Sequence, residues 1–123
     1  MRHKFTSKRT QVDDISFPSK LEARCYKELK KLQDENIVIF FQRQPMFDLP
    51  GGIKHRVDFL VFCKSGDAIF LEAKGRDHSD GILRRKLVES LYPVKIHVVK
   101  SESEIKDIVK EKRQYLAAPY YDC

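Results

Sequence analysis

Two strand-like segments joined by a tight turn constrain this chain more than any other feature. They are Arg56-Val57-Asp58-Phe59-Leu60-Val61-Phe62 and Ala68-Ile69-Phe70-Leu71-Glu72-Ala73-Lys74, with the turn at Lys64-Ser65-Gly66-Asp67. Side chains alternate along a strand, so Glu72 and Lys74 share a face. Asp58 is followed by a fully apolar run, and Glu72 and Lys74 also follow apolar residues. Strands this apolar are buried on both faces, and buried charges are paired or bind metal. Two carboxylates and a lysine converging there form a site for a hard divalent cation and a water to be activated. The residues leave two other pairings open. Asp58 can pair with Arg56 on the same strand face. Glu72 and Lys74 can form a surface ion pair at a strand end, where such a pair is worth little.

Periodicity supplies the rest of the framework. Leu21, Cys25, Leu29 and Leu32 recur at helical spacing in one apolar stripe, which predicts a helix from Ser19 to about Asn36. Ile37 to Phe41 reads as a strand that extends as far as Gln44, before Pro45. Asp48-Leu49-Pro50-Gly51-Gly52 reads as a loop. Strands follow at about 55–63 and 67–74. A second helix is expected from Asp80 to Tyr92, with Ile82, Leu83, Leu87 and Leu91 inward and Pro93 ending it. Val94 to Lys100 is a further strand. Ser101 and Glu104 have the spacing of a capping box that opens a last helix towards Tyr115. The order α-β-β-β-α-β-α describes one α/β domain over residues 17–115. Residues 1–16 are expected to be a basic flexible arm and 116–123 a tail.

At 123 residues the chain is one domain, long enough for a real core. Its longest apolar run, Ile37 to Phe41, is far too short to cross a bilayer. No apolar segment follows Met1-Arg2-His3-Lys4, so no signal-peptide pattern is present. Cys25, Cys63 and Cys123 are odd in number and widely spaced. They argue for a reducing, cytoplasmic setting, with Cys25 and Cys63 as small core residues. His3, His55, His78 and His97 share no ligand spacing, which argues against zinc. The net charge of +6 favours polyanionic partners. The first ten residues hold Arg2, Lys4, Lys8 and Arg9 against no acid. They read either as an arm that folds onto a phosphate backbone or as a solvated tail. Arg84, Arg85 and Lys86 form a basic cluster on the second helix, either a solvated face or a contact to a nucleic-acid backbone.

Asp58 and Glu72-Ala73-Lys74, on these two strands, resemble the signature of the PD-(D/E)XK nuclease superfamily. Val57 stands where the name-giving proline would be, and that proline is not a ligand. Glu22, in Phe17-Pro18-Ser19-Lys20-Leu21-Glu22, resembles the acidic residue that many members carry on their first helix. Ser19-Lys20-Leu21-Glu22 also has the form of a capping box, so Glu22 is open to either role. Element order agrees from about residue 17 to residue 110. Within the superfamily the chain is most similar to the small phage-type endonucleases and the Holliday-junction resolvase branch.

The resemblance implies a restriction-endonuclease-like αβββαβ core, with a mixed central sheet flanked by helices, and a Mg²⁺-dependent DNA endonuclease, with Mn²⁺ as a substitute. Asp58, Glu72 and the Ala73 carbonyl would hold the metal, and Lys74 and Glu22 would complete the catalytic set. Lys74 would orient the attacking water, stabilise developing charge or take a proton. Lys20, Gln44, Arg56, His78, Arg84, Arg85, Lys86 and the arm residues Arg2, Lys4, Lys8 and Arg9 would contact DNA. A chain this short has no room for a separate sequence-reading module, which fits structure-selective cutting of branched DNA. Cutting two strands symmetrically implies a homodimer. The implied setting is intracellular, at the nucleoid or in an infected host cell. A sequence-specific restriction or homing enzyme stays open, as does a non-catalytic nucleic-acid-binding domain on the same fold.

Overall fold

The first helix, α1 (Lys20–Asp34), starts where the sequence predicts, because the Ser19 side chain caps it by accepting from the Glu22 amide at 3.1 Å. Leu21, Cys25, Leu29 and Leu32 are all buried, as their stripe requires. The computed structural model describes residues 9–111. Within it, a hairpin precedes the helix: β1 (Thr10–Val12) pairs antiparallel with β2 (Ile15–Phe17). Asp13 and Asp14 form its turn with φ of 53° and 63°. Both central residues of this tight hairpin turn lie in the left-handed region, which Asp tolerates better than most residues. The hairpin is pinned to α1 by the Tyr26 hydroxyl, which donates to Asp13 Oδ2 at 2.9 Å, and by Phe17, which is fully buried. The expected arm over 1–16 therefore does not extend past residue 9. Arg9, one of its cations, donates from Nε to Ser16 Oγ at 3.0 Å and belongs to the hairpin. Arg2, Lys4, Lys8 and the tail 116–123 lie outside the described residues.

After α1 come β3 (Val38–Arg43), β4 (Met46–Leu49), β5 (Ile53–Arg56), β6 (Phe59–Cys63) and β7 (Ala68–Ala73). They are followed by α2 (Ser79–Leu91), β8 (Ile96–Val99) and α3 (Ser103–Glu111). The central sheet has the order β3-β6-β7-β8. The β3/β6 and β6/β7 pairs are antiparallel, and β7/β8 is parallel. This is the expected mixed sheet flanked by helices. One core lies between the sheet and α1, α3 and the hairpin, and includes Phe59, Val61, Ile69, Leu71 and Ile105. A second, smaller core of Leu49, Val57, Val88 and Ile96 lies against α2 and β4. Cys25 and Cys63 are buried, as expected. Burial pushes their thiols up, to about 12 and about 11 respectively.

Two expectations change. The single strand expected at 55–63 is two strands, and the loop expected at 48–52 is half strand. Asp48 and Leu49 end β4, Pro50–Gly52 is one 3₁₀ turn, and β5 returns alongside β4 with Leu49 opposite Ile53. Gly51 and Gly52 have φ of 80° and 74°, values that suit glycine and allow the reversal. Gln44, with φ 61°, turns the chain out of β3. The Gln44 amide then donates to the Asp58 carbonyl and the Val57 amide to the Pro45 carbonyl, each at 2.9 Å. These bonds break the strand at Asp58 and give β5 a direction of its own.

The inward face of α2 also differs from the prediction. Ile82, Leu83 and Leu91 are exposed at 39%, 59% and 54%, and Leu87 is half-buried. The residues that turn inward are Arg85 and Val88. A buried arginine takes the place of an apolar side chain because the sheet beneath it carries a buried carboxylate, Glu72.

Candidate active site

The sheet register gathers the charged residues at one end. Phe59 lies opposite Leu71, so Asp58 and Glu72 stand side by side where β6 begins and β7 ends. The Ala73 amide donates to Asp58 Oδ2 at 2.7 Å and fixes that carboxylate. Asp58 therefore has a partner other than Arg56, whose side chain is exposed. Glu72 is 1% exposed, which excludes a surface ion pair. Lys74 follows it at the mouth of the site, with Nζ 4.0 Å from Glu72 Oε2. Glu22 enters from the first turn of α1.

Glu22 is not a completed capping box. Its amide bonds to Ser19, but its carboxylate points elsewhere: Oε2 is buried without a hydrogen bond, 3.8 Å from Arg43 NH2. Arg43 lies over the Phe17 ring at 4.6 Å, and its own Nε is buried without a partner. Burial and the Asp58 charge push the Glu22 carboxyl up to about 7, against the opposing pull of Arg43 and Lys74. Asp58 is raised as well, chiefly by burial, with the Ala73 amide opposing and the Glu72 charge adding.

Glu72 has both oxygens engaged. His55 Nε2 lies 2.8 Å from Oε1, and Arg85 NH1 donates to Oε2 at 3.0 Å. Arg85 NH2 in turn pairs with Asp77 in the loop before α2. His55, on β5, is 5% exposed.

These residues floor an open cavity of about 1020 Å³. The carboxylates Glu22, Asp58 and Glu72 form the floor, Lys74 stands at the mouth, and Lys54, Arg56, Arg76, His78 and Arg84 line the sides. A carboxylate floor under a cationic wall can accept a phosphate chain and place a cation beneath it. Of the residues predicted to meet a nucleic acid, Arg56, His78 and Arg84 reach this wall. Arg84 lies 3.6 Å from Asp80 on its own helix. Arg85 does not reach the wall: it is buried against Glu72 and Asp77, so the cluster Arg84-Arg85-Lys86 is not one basic face. Lys20 and Lys86 are exposed away from the lining, and Gln44 is not part of it. Lys54, His55, Arg76, Asp77 and Arg43 belong to the site although no motif in the sequence marks them.

Among the described residues, no group of three or more His, Cys, Asp or Glu side chains is set to close around one ion. The donor chemistry nevertheless suits Mg²⁺. That ion keeps several waters and is typically held by one or two carboxylates together with substrate phosphates, not by a protein cage. The Glu22 carboxyl is the specific observation in favour: Arg43 at 3.8 Å leaves its Oε2 without a hydrogen bond, and burial together with the Asp58 charge disfavours the bare anion, so a proton or a cation is favoured there. Glu72 takes part only through the lone pairs that His55 and Arg85 leave free, since an ionised carboxylate offers about four acceptor sites.

A family model described as "Protein of unknown function (DUF1064)" matches residues 2–106. No curated protein matches the chain, and no solved structure does.

Proposed function

The chain belongs to the DUF1064 family, and from its own site we propose that it is a Mg²⁺-dependent deoxyribonuclease of PD-(D/E)XK type, acting on branched duplex DNA as a homodimer. The observation that carries this reading is the Glu22 carboxylate. It is buried, lacks a hydrogen-bond partner at Oε2, is raised by the Asp58 charge, and lines the same cavity as Asp58 and the cationic side chains.

Hydrolysis of a phosphodiester forms a bond from a water oxygen to phosphorus and breaks the P–O bond to the departing sugar oxygen, which takes up a proton. Asp58, with Glu22, Glu72 and the Ala73 carbonyl, would hold Mg²⁺, which when bound supplies charge neutralisation at the phosphoryl oxygens and a more acidic water. Lys74 presents its ammonium at the cavity mouth, with 42% of its side chain exposed, where it orients the water or offsets charge on the phosphoryl oxygens. The wall residues Lys54, Arg56, Arg76 and Arg84 bind the phosphates on either side. They come from the β4/β5 hairpin, the loop after β7 and α2.

A second reading has one observation in its favour. Glu72 is already paired at both oxygens, as in a nucleic-acid-binding domain that keeps the fold without the chemistry. Labelled four-way junction and linear duplex, incubated with the protein in Mg²⁺ and in EDTA, separate the two. Cleavage in Mg²⁺ that EDTA abolishes supports the nuclease. Junction binding with no cleavage in either Mg²⁺ or Mn²⁺ overturns it in favour of the binding domain.

A further inference from the structure

We infer that His55 and Arg85 are positioning residues that hold the Glu72 carboxylate in one orientation towards the cavity, with Asp77 holding Arg85 in turn. The inference rests on the nuclease reading and assigns roles to three residues outside the Asp58/Glu72/Lys74 signature. Each of the two partners takes one oxygen of Glu72, at 2.8 Å and 3.0 Å, and each comes from a different element. His55 lies on β5 and Arg85 on α2, so the carboxylate is gripped from two directions and cannot rotate without breaking a bond. One lone pair on each oxygen remains for the cavity side.

The arrangement is too costly to be incidental packing. Arg85 and His55 are 7% and 5% exposed, and a buried arginine is retained only where its donors are met. One guanidinium nitrogen meets Glu72 and the other meets Asp77. That two-armed span needs the planar fork of arginine, which a lysine cannot reproduce. Arg85 thus ties α2 to the strand that carries Glu72, while Val88 packs into the smaller core with Leu49, Val57 and Ile96.

Groups that orient a metal-holding carboxylate typically change metal affinity or activity by about 10- to 100-fold when removed. The test uses the full-length protein with His55→Ala, His55→Gln, Arg85→Lys and wild type. Mn²⁺ binding is followed by calorimetry without DNA. Cleavage is followed under single turnover with protein in saturating excess over DNA, and Tm is recorded for each variant. His55→Ala is expected to weaken Mn²⁺ binding and slow the cleavage step by about 10-fold or more. His55→Gln, which can donate from a similar position, is expected to recover most of both. Arg85→Lys keeps the charge but loses the fork, and is expected to slow cleavage by a similar factor without raising the protein concentration needed for half-maximal rate.

A His55→Ala variant with lowered Tm but wild-type Mn²⁺ affinity and single-turnover rate overturns the inference and leaves the nuclease standing. A His55→Gln variant no better than His55→Ala also overturns it. A wild-type protein that neither binds Mn²⁺ nor cleaves overturns the nuclease reading, and the inference falls with it.

Discussion

Glu22 Oε2 and Arg43 NH2 face each other at 3.8 Å, with no hydrogen bond to the buried carboxylate oxygen. The pair is close enough to interact and too far apart to satisfy the acceptor. That gap makes Glu22 the most telling titratable group in the molecule. In the folded protein its carboxyl is raised from 4.5 to about 7. Between those values the folded state keeps a proton that the unfolded state releases. Metal-free stability therefore falls as pH rises from about 4.5 through about 7, and the stabilisation is fully present only below that window. Asp58, also raised, acts in the same direction.

Glu22→Gln replaces the protonated form with a neutral isostere. Its Tm in metal-free buffer should match wild type near pH 5, exceed it near pH 8, and vary less between the two. Cleavage should fall by about 10²-fold near pH 8, where the wild-type carboxylate is ionised, and by less near pH 5, where it is largely protonated. A cap-only glutamate gives a different pattern: a loss of at most about 1 kcal/mol at every pH with cleavage intact. An unchanged pH slope in the Gln variant would remove Glu22 from the site.

Asp58→Asn and Glu72→Gln should each slow cleavage by about 10²-fold or more, roughly 3 kcal/mol of transition-state stabilisation. They should differ in stability. The asparagine of Asp58→Asn keeps an oxygen that can accept from the Ala73 amide, so its fold should persist with little change in Tm. The glutamine of Glu72→Gln places an NH₂ against one of two donors, His55 Nε2 or Arg85 NH1. It also removes one counter-charge from a buried arginine, and breaking such a pair costs about 3–5 kcal/mol. Denaturant unfolding of the two variants side by side checks the contrast. A Glu72→Gln protein as stable as Asp58→Asn would mean that the buried pairings carry little energy.

The pattern of what can be read from the sequence has a physical cause. Asp58, Glu72 and Lys74 sit on one antiparallel hairpin, where alternation and register follow from local spacing alone. The Leu21-Cys25-Leu29-Leu32 stripe is equally local. His55 and Arg85 owe their roles to β5, β7 and α2 meeting in space, and no spacing along the chain encodes that meeting. The face of α2 misleads because four apolar residues outweigh one arginine, although the partner of that arginine is the buried Glu72. The β4/β5 hairpin does leave a signal: Met46-Phe47-Asp48-Leu49 and Ile53-Lys54-His55-Arg56 flank Pro50-Gly51-Gly52, a turn with strand on either side. With that hairpin in place, His55 falls on a strand separate from β6 and Asp58 at a break in the chain.

Lys74→Ala separates chemistry from binding. The ammonium stands 4.0 Å from Glu72 Oε2 and is substantially exposed, so its loss disturbs no buried pair. Single-turnover cleavage should fall by about 10²-fold. Junction affinity in Ca²⁺ or EDTA should stay within a few-fold, since one phosphate contact contributes modestly. Fluorescence anisotropy with labelled junction supplies the second number. A parallel collapse of affinity and rate would recast Lys74 as a binding residue.

The cationic wall and the N-terminal segment make separable contributions to substrate choice. Lys54 and Arg76 line the cavity, so Lys54→Ser and Arg76→Ser should each flatten the salt dependence of DNA binding by about one contact, a change near 0.9 in slope. The effect should be equal on junction and linear duplex, because both present a backbone to the cavity. Residues 1–8 carry Arg2, Lys4 and Lys8 with no acid. They precede Arg9, whose side chain bonds Ser16, and the β1/β2 pairing, so a deletion that stops at residue 8 removes no residue of that hairpin. A four-way junction offers a second duplex that linear DNA lacks. If the segment grips it, the deletion should lower junction affinity more than duplex affinity and remove up to about three contacts from the junction's slope alone. Affinity titrations of both DNAs across about 50–200 mM salt read all of these at once. Equal weakening on the two substrates would make the segment a general tether and withdraw its support for a branched-DNA preference.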